Sequence, residues 1–562
     1  MRKATLILLF GMFLVSQLQA DLLPRIGTVD IFESQTTNNG GIGNFIAGVD
    51  LDGDGLREIY MVNDNWNDTP GEVIPNIYKY EQAADGTWSM VWHATPPATL
   101  IEKQNTWPAL AITDLDNDGK MELTWGIVNN FVTIQNPARI VVYEHAGGDN
   151  FGVANGEDWD PNSSWTITDD DATNIRPIEF EVLDFDGDGV DEILFADRTG
   201  NNSGLYYGIC SVDDIPDTGD GSETWTLESS GLDWGLADLN VENKWDIAVV
   251  GSNAYFFSET EITKISWTGS DYDYVGLSPL AGGSCVQSAM GVDVDEDGTT
   301  EIVGAVYDWG DDTKKGIYLM QEDADTLIAT ELVNLSEYWP SGSRGIWGGA
   351  KGDIDNDGYV DFVFGSRAST PNAVIFRCSY LGGDITLPAS WETTVIDSVF
   401  AVEDLAEGGI WSLLSIANMD ADDGQEVLYT SSASVPYSVA FPTTNVSAPI
   451  IILDSPNTSV SIEEREVQIA DNYKLQQNYP NPFNPSTTIT FNVPSNEVVN
   501  LTVYDMRGKV IASLLNKSMN AGSYDVTWGG LDDQGRQVAS GAYIYTLKTS
   551  SFTDSKTMLF LK

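Results

Sequence analysis

Histidine and cysteine are almost missing from this chain of 562 residues. There are two histidines, His93 and His145, and three cysteines, Cys210, Cys285 and Cys378. So few imidazoles and thiols leave little material for zinc sites or for Ser-His-Asp chemistry. The cysteine spacings fit no metal pattern and three thiols cannot all pair, so they read as small buried side chains. Basic residues are scarce too: 27 Lys and Arg stand against 85 Asp and Glu, a net charge of −58. A phosphate backbone needs clustered Lys and Arg to displace its counterions, so nucleic acid is excluded as a partner. Anionic membrane surfaces are disfavoured for the same reason, and cations become the natural small partners. Long apolar runs are absent apart from Thr5–Val15, which is too short to span a bilayer. With Arg2 and Lys3 before it and Ser16–Ala20 after it, that run reads as a signal peptide over residues 1–20. No transmembrane segment is expected.

What the chain does have is a repeated phrase: an apolar run, an acidic loop containing glycine, and a second apolar run. It reads FIAGVDLDGDGLREIYMV from Phe45, LAITDLDNDGKMELTWGI from Leu110 and FEVLDFDGDGVDEILFAD from Phe180. It returns as GLADLNVENKWDIAVVGS from Gly235, MGVDVDEDGTTEIVGAVY from Met290, AKGDIDNDGYVDFVFGSR from Ala350 and SIANMDADDGQEVLYTSS from Ser415. The period, about sixty residues, matches one four-stranded blade with moderate loops. The flanking runs are rich in Ile, Val, Phe and Tyr, with Gly, Asn and Asp between them, which is strand and turn chemistry. Seven copies close a ring, and a ring protects strand edges that a flat sheet would expose. The expectation is an all-β chain: a seven-bladed β-propeller over 21–455, a linker over 456–472 and a small Ig-like β-sandwich over 473–562.

These seven loops resemble the FG-GAP/VCBS repeats of integrin-alpha-type β-propellers. In that family the acidic loop joins the first two strands of a blade and binds calcium. The residues themselves support the same chemistry. The spacing D-x-D-x-D-G-x-x-[DE] places side-chain oxygens at positions 1, 3, 5 and 9, and glycine at position 6 permits a tight turn. Calcium takes six to eight oxygens in a flexible cage. A single such loop could equally be a solvated turn. Seven in phase point to a cation, because four carboxylates this close repel one another without one.

The candidate ligands are Asp50, Asp52, Asp54 and Glu58 in blade one; Asp114, Asp116, Asp118 and Glu122 in blade two; and Asp184, Asp186, Asp188 and Glu192 in blade three. Blade five offers Asp293, Asp295, Asp297 and Glu301, and blade six Asp353, Asp355, Asp357 and Asp361. Blade seven offers Asn418, Asp420, Asp422 and Glu426, with Asp423 where glycine is expected. The fourth copy departs furthest: Asp238, Asn240, Glu242 and Asp246 fall on the ligand positions, and Asn243 replaces the glycine. About five to seven structural calcium ions follow from this count. Seven equivalent catalytic centres are implausible, so the metal reads as a staple. The resemblance implies a ligand-binding face on the opposite rim. Trp107, Arg176, Arg344, Trp347 and Trp411 precede the loop anchors and fall there.

After about Asp454 the composition changes. Residues 21–470 carry a net charge of −61, whereas residues 471–562 carry +1. The tail has short strand-like runs, opens with LQQNYPNPFNPSTTI, carries Tyr504-Asp505-Met506-Arg507-Gly508 and Ser540-Gly541-Ala542-Tyr543, and finishes in Leu561-Lys562. These motifs resemble the type A C-terminal sorting domain of type IX secretion substrates. The resemblance implies the type IX machinery as a partner and a secreted or outer-surface location in a Gram-negative bacterium. Two functions fit. One is an adhesion or ligand-binding propeller with a glycan or protein partner. The other is an extracellular polysaccharide lyase or hydrolase on the same scaffold. Acids are so abundant that no acid/base pair stands out, and no separate catalytic domain is left over, which favours binding.

Overall fold

A computed structural model describes residues 19–20, 23–29, 42–63, 75–83, 86–100, 108–128, 138–167, 175–197, 205–234, 244–258, 261–277, 285–307, 316–323, 326–335, 346–366, 374–398, 413–419, 424–430, 450–454, 463–464, 473–483, 487–494, 497–519, 522–531 and 538–561. Two compact units divide the chain, one ending at Leu453 and the other beginning at Asp454, with residues 420–424 grouped with the second.

The first unit is a ring of seven small antiparallel sheets. Blade one is Ile42–Val49, Arg57–Asn63, Ile77–Gln82 and Trp88–Ala94, each strand pairing with the next. Blade two begins with Ala109–Thr113, Glu122–Gly126 and Ile140–Gly147, and Ser163–Trp165 pairs with its third strand. Blade three is Pro177–Leu183, Glu192–Asp197, Tyr207–Val212 and Trp225–Ser230. Blade five runs over four strands from Cys285–Val292 to Thr326–Asn334, and blade six from Ile346–Gly352 to Trp391–Ser398. In blade six Gln19–Ala20 add a short parallel strand beside Thr394 and Val395.

Blade seven shows how the ring closes. Leu413–Ala417, Glu426–Thr430 and Ile450–Leu453 supply three strands, and Arg25–Val29 from the chain's beginning supplies the outermost. First and last segments are therefore zipped into one sheet, which the repeat pattern alone does not reveal. The innermost strands pack in sequence around the axis, that of blade seven returning to that of blade one. Each junction has its own apolar core. Tyr60 and Trp92 meet Leu123 and Trp125 between blades one and two, and Val363 and Ile375 meet Val427 and Tyr429 between six and seven. Cys210 and Cys378 are buried, unpaired thiols in two of these cores.

Blade four corrects the sequence reading. Its strands are Asp246–Val250, Asn253–Phe257, Ile262–Trp267 and Tyr272–Leu277. Asp246–Val250 is the innermost, packing against the innermost strands of blades three and five. Among the described residues Asp246 thus begins the first, innermost strand of its blade, whereas the repeat pattern placed it at the head of a second strand. The connection after that strand is the turn Gly251-Ser252, with Gly251 at φ +57°. A tight hairpin has no room for nine loop positions. Asp238, Asn240 and Glu242 lie outside the described residues.

The second unit is a sandwich of two four-stranded sheets. One contains Lys474–Leu475, Thr487–Val493 and Gly522–Trp528; the other contains Glu497–Asp505, Val510–Met519, Gly541–Lys548 and Thr553–Phe560. Glu463–Glu464, inside the stretch expected to be linker, pairs with Tyr524 and Asp525 as an edge strand. Edge pairing uses the backbone, so a polar segment can take it. The core between the sheets is built from alternate residues such as Ile489, Phe491, Leu501, Val503 and Tyr545.

Candidate metal centres on one rim of the ring

Six loops join the first and second strands of blades one, two, three, five, six and seven. In the first five of these, positions 4 and 6 both take the left-handed conformation. Position 6 is Gly55, Gly119, Gly189, Gly298 and Gly358, with φ between 87° and 95°. Position 4 is Gly53, Asn117, Gly187, Glu296 and Asn356, with φ between 53° and 82°. Glycine and asparagine tolerate that conformation, and Glu296 is the exception. The requirement at position 4 was missed in the sequence, although Gly or Asn stands there in four of the five copies.

This backbone turns the carboxylates inward. Position 1 accepts the amide of position 6, as in Gly55 N–H to Asp50 Oδ2 at 2.9 Å and Gly298 N–H to Asp293 Oδ2 at 2.9 Å. Position 5 accepts the amide of position 7, for example Val190 N–H to Asp188 Oδ1 at 2.8 Å. Position 9 reaches back to the amide of position 2. Leu51, Leu115, Phe185, Val294 and Ile354 donate to Glu58, Glu122, Glu192, Glu301 and Asp361 at 2.7 to 3.1 Å. Met419 N–H donates to Glu426 in the same way. Each position-9 carboxylate is buried at the base of its loop. In blades one, two and three, oxygens of positions 1, 3 and 9 lie within 4.8 Å of one another. Asp420 and Asp422 lie outside the described residues.

The six loops are not alike beneath this shared frame. In blade two, Glu122 Oε2 accepts from Leu115 N–H and the Thr113 hydroxyl, but Oε1 is buried with no hydrogen-bond partner among the described residues. Glu192 Oε1 in blade three and Asp295 Oδ1 in blade five are buried in the same condition. Burial, helped by Asp116 and Asp114, pushes the Glu122 carboxyl up to about 8, against the hydrogen bonds from Leu115 and Thr113. Burial likewise lifts Glu192 to about 8 and raises Glu301. A buried carboxylate oxygen without a donor is costly, and a cation supplies what is missing. The donor set is all oxygen, which suits a hard ion such as calcium.

Blades one and six are different. Lys79, on the third strand of blade one, is fully buried, with Nζ 2.8 Å from Asp52 and 2.5 Å from Glu58. It also meets Asp149 of blade two at 2.8 Å and Glu81 at 3.6 Å. Burial alone would lower the Lys79 ammonium; its hydrogen bonds to Asp149, Asp52 and Glu58 hold it above the ordinary value. In blade six, Arg377 donates from Nε to Asp361 Oδ1 at 2.9 Å, and from Nη2 to Asp361 Oδ2 at 2.9 Å and Asp355 Oδ2 at 2.5 Å. In both loops a protein cation holds positions 3 and 9. Blade seven has another arrangement: Arg57, from loop one, donates through Nη2 to Asn418 Oδ1 at 2.9 Å. In blade two, Lys120 bridges Asp118, Glu144 and, in blade three, Asp217, and leaves Glu122 untouched.

Of the expected binding-face residues, Arg176 is buried, with its backbone N–H on Asp197 Oδ1 at 3.0 Å and Arg139 nearby. Trp347 lies in the innermost strand of blade six. Trp107, Arg344 and Trp411 lie outside the described residues.

In the tail, the proline-rich motif is pinned to the sandwich. Asn478 is buried, its Nδ2 donating to Thr487 Oγ1 at 2.9 Å and its N–H to the Tyr545 hydroxyl at 2.8 Å. Phe483 packs on Trp528 and Phe560, and Phe483 N–H donates to Leu559 O at 3.0 Å. Tyr479 projects into solvent at 82% exposure.

Comparison with known proteins agrees with this architecture in two places. A family model described as an FG-GAP-like repeat matches residues 50–125, from loop one through the second strand of blade two. A second, described as the FlgD Ig-like domain, matches residues 482–552. No curated protein sequence matches the chain. Among solved structures, an exo-beta-1,3-galactanase from Phanerochaete chrysosporium with beta-1,3-galactotriose aligns over 96% of this chain and 99% of its own. It has 8% identity and a TM-score of 0.28, too low for any inference from it. The chain therefore carries an FG-GAP-like repeat match within its ring, over residues 50–125, and an FlgD Ig-like match within its C-terminal sandwich, over residues 482–552.

Proposed function

We propose that this chain is an exported, calcium-stabilised β-propeller that binds an extracellular glycan or protein, with its C-terminal sandwich serving as a type IX export address. The observation that carries the calcium reading is the pair of buried, unpartnered oxygens, Glu122 Oε1 and Glu192 Oε1, each at the base of a converging carboxylate loop. Calcium would be held in blade two by Asp114, Asp116, Asp118 and Glu122, and in blade three by Asp184, Asp186, Asp188 and Glu192. The ion supplies positive charge at positions 1, 3 and 9; in blade two Lys120 meets only Asp118 of the four ligands. Its role is to fix the loops between strands, since each set lies at one rim of its own blade. In a net charge of −58 such ions also relieve repulsion across the rim.

What supports the binding reading is the architecture and not any assigned ligand. Propeller and sandwich account for nearly all the described residues, and no third unit is present among them. Among the described residues no helix is long and apolar enough to cross a membrane. The export reading rests on the tail motif, which the fold pins against the final strand while leaving Tyr479 exposed. Calcium titration of the full chain by calorimetry tests the first part; heat of binding that falls in Asp114→Asn/Asp184→Asn supports it, and no heat in the native chain refutes it. Glycan-array binding run beside turnover assays on polysaccharides separates a binder from an enzyme. Truncation after Asp454 tests export: the propeller should fold and stay in the periplasm, and efficient appearance outside would make the tail a structural accessory.

A further inference from the structure

The position beneath each loop decides what kind of cation the loop needs. Take the residue two places after position 9 and cross to its partner on the third strand. In blade two Thr124 faces Val142, and in blade three Leu194 faces Ile209. In blade five Val303 faces Leu319, and in blade seven Leu428 faces Ile452. All four partners are apolar and belong to the core shared with the next blade. In blade one Tyr60 faces Lys79, and in blade six Val363 faces Arg377. One register position therefore holds a core aliphatic in four blades and a cation in two. From it the side chain reaches up under the loop to positions 3 and 9.

We infer that the ring uses two kinds of staple: metal in the loops of blades two, three and five, and a side chain of the protein itself, Lys79 or Arg377, in the loops of blades one and six, which take no calcium in the native chain. This rests on the calcium reading above and narrows it. Calcium binds carboxylate oxygens at about 2.3–2.6 Å, so an ion on Asp52 and Glu58 would crowd the Lys79 ammonium that already lies 2.8 and 2.5 Å from them. Lys79 cannot swing aside cheaply, because its side chain is fully buried and also anchored to Asp149 of the next blade. Arg377 grips both oxygens of Asp361, so position 9 in blade six has no free lone pair directed at the loop centre in the way Glu122 Oε1 has. Glu122 Oε1, Glu192 Oε1, Asp295 Oδ1 and Glu58 Oε1 are all buried without a hydrogen bond among the described residues, but only Glu58 Oε1 has a protein cation against it, Lys79 Nζ at 2.5 Å; the other three lie in loops with the aliphatic residue.

The test is bound calcium per chain, measured by equilibrium dialysis with radioactive calcium on the full chain. Asp114→Asn in loop two should lower the count by about one ion, and Asp50→Asn in loop one should leave it unchanged. Lys79→Met should raise the count by about one, because the vacated loop becomes like that of blade two. A one-ion loss in Asp50→Asn would overturn the inference and leave the calcium reading intact. The Asp50 comparison does not depend on whether Lys79→Met folds. If Lys79→Met folds by circular dichroism and gains nothing, the inference is also overturned. No bound calcium in the native chain would defeat both.

Discussion

The loops of blades one and two share spacing, turn and backbone clamp, yet solve the same electrostatic problem in opposite ways. Loop one brings Asp50, Asp52, Asp54 and Glu58 together over a buried lysine. Loop two brings Asp114, Asp116, Asp118 and Glu122 together over Val142, and leaves a buried oxygen without a donor. The difference lies in one residue on the third strand, about twenty positions further along the chain. A loop motif thus specifies that a cation is needed, and the residue below specifies where it comes from.

Removing calcium should give the largest effect. With about 1 mM calcium and a dissociation constant of about 0.1 mM, one site contributes about 1.4 kcal/mol, and three about 4 kcal/mol. The melting temperature of the full chain should fall clearly in EDTA and recover on adding calcium back; an unchanged melting curve would erase the distinction between loops. Next comes Lys79→Met. In chelator it leaves Asp52, Glu58, Glu81 and Asp149 facing one another without their ammonium, and should cost about 3 kcal/mol in denaturant unfolding. Calcium should restore part of that loss, as it would not if the lysine were mere filler.

Glu122→Gln should cost about 1–2 kcal/mol in calcium but be close to neutral in EDTA, since near neutrality burial already favours the uncharged carboxyl. Comparing melting curves of this variant with and without calcium checks the sign. The smallest effect concerns blade four, which has no loop of either kind among the described residues. Burial, and repulsion from Glu181, raise the Asp246 carboxyl, and Glu179 of blade three lies beside it. A carboxyl raised in the fold keeps its proton while the unfolded chain loses it. Stability is therefore lost as pH climbs from about 4 towards the raised value. Asp246→Asn should flatten this dependence, gaining on the order of 1 kcal/mol on the native chain between pH 5 and 8 in EDTA.

The propeller was legible because the repeat fixes strand, loop and strand in phase, and the glycine at position 6 marks the turn. The ligand positions were legible for the same reason: side chains at 1, 3, 5 and 9 converge once the turn is fixed. Blade four misled because Asp246 followed by Ile-Ala-Val-Val imitates position 9 and a second strand, while any acid before an apolar strand does so. Its missing glycine was the available warning. Lys79 and Arg377 escaped notice because cross-strand register decides their role, though a lone cation inside IYKYEQ and VIFRCSY was a visible signal. The closing strand Arg25–Val29 carries no repeat motif, and its partner lies at the far end of the ring, so only the fold reveals it.

Anomalous diffraction from crystals of the full chain grown in calcium addresses the central claim directly. The account predicts calcium peaks beside Glu122, Glu192 and Glu301, and none beside Glu58 or Asp361, where Lys79 and Arg377 keep their ion pairs. Peaks of equal height in the loops of blades one and two, with Lys79 displaced, would contradict it.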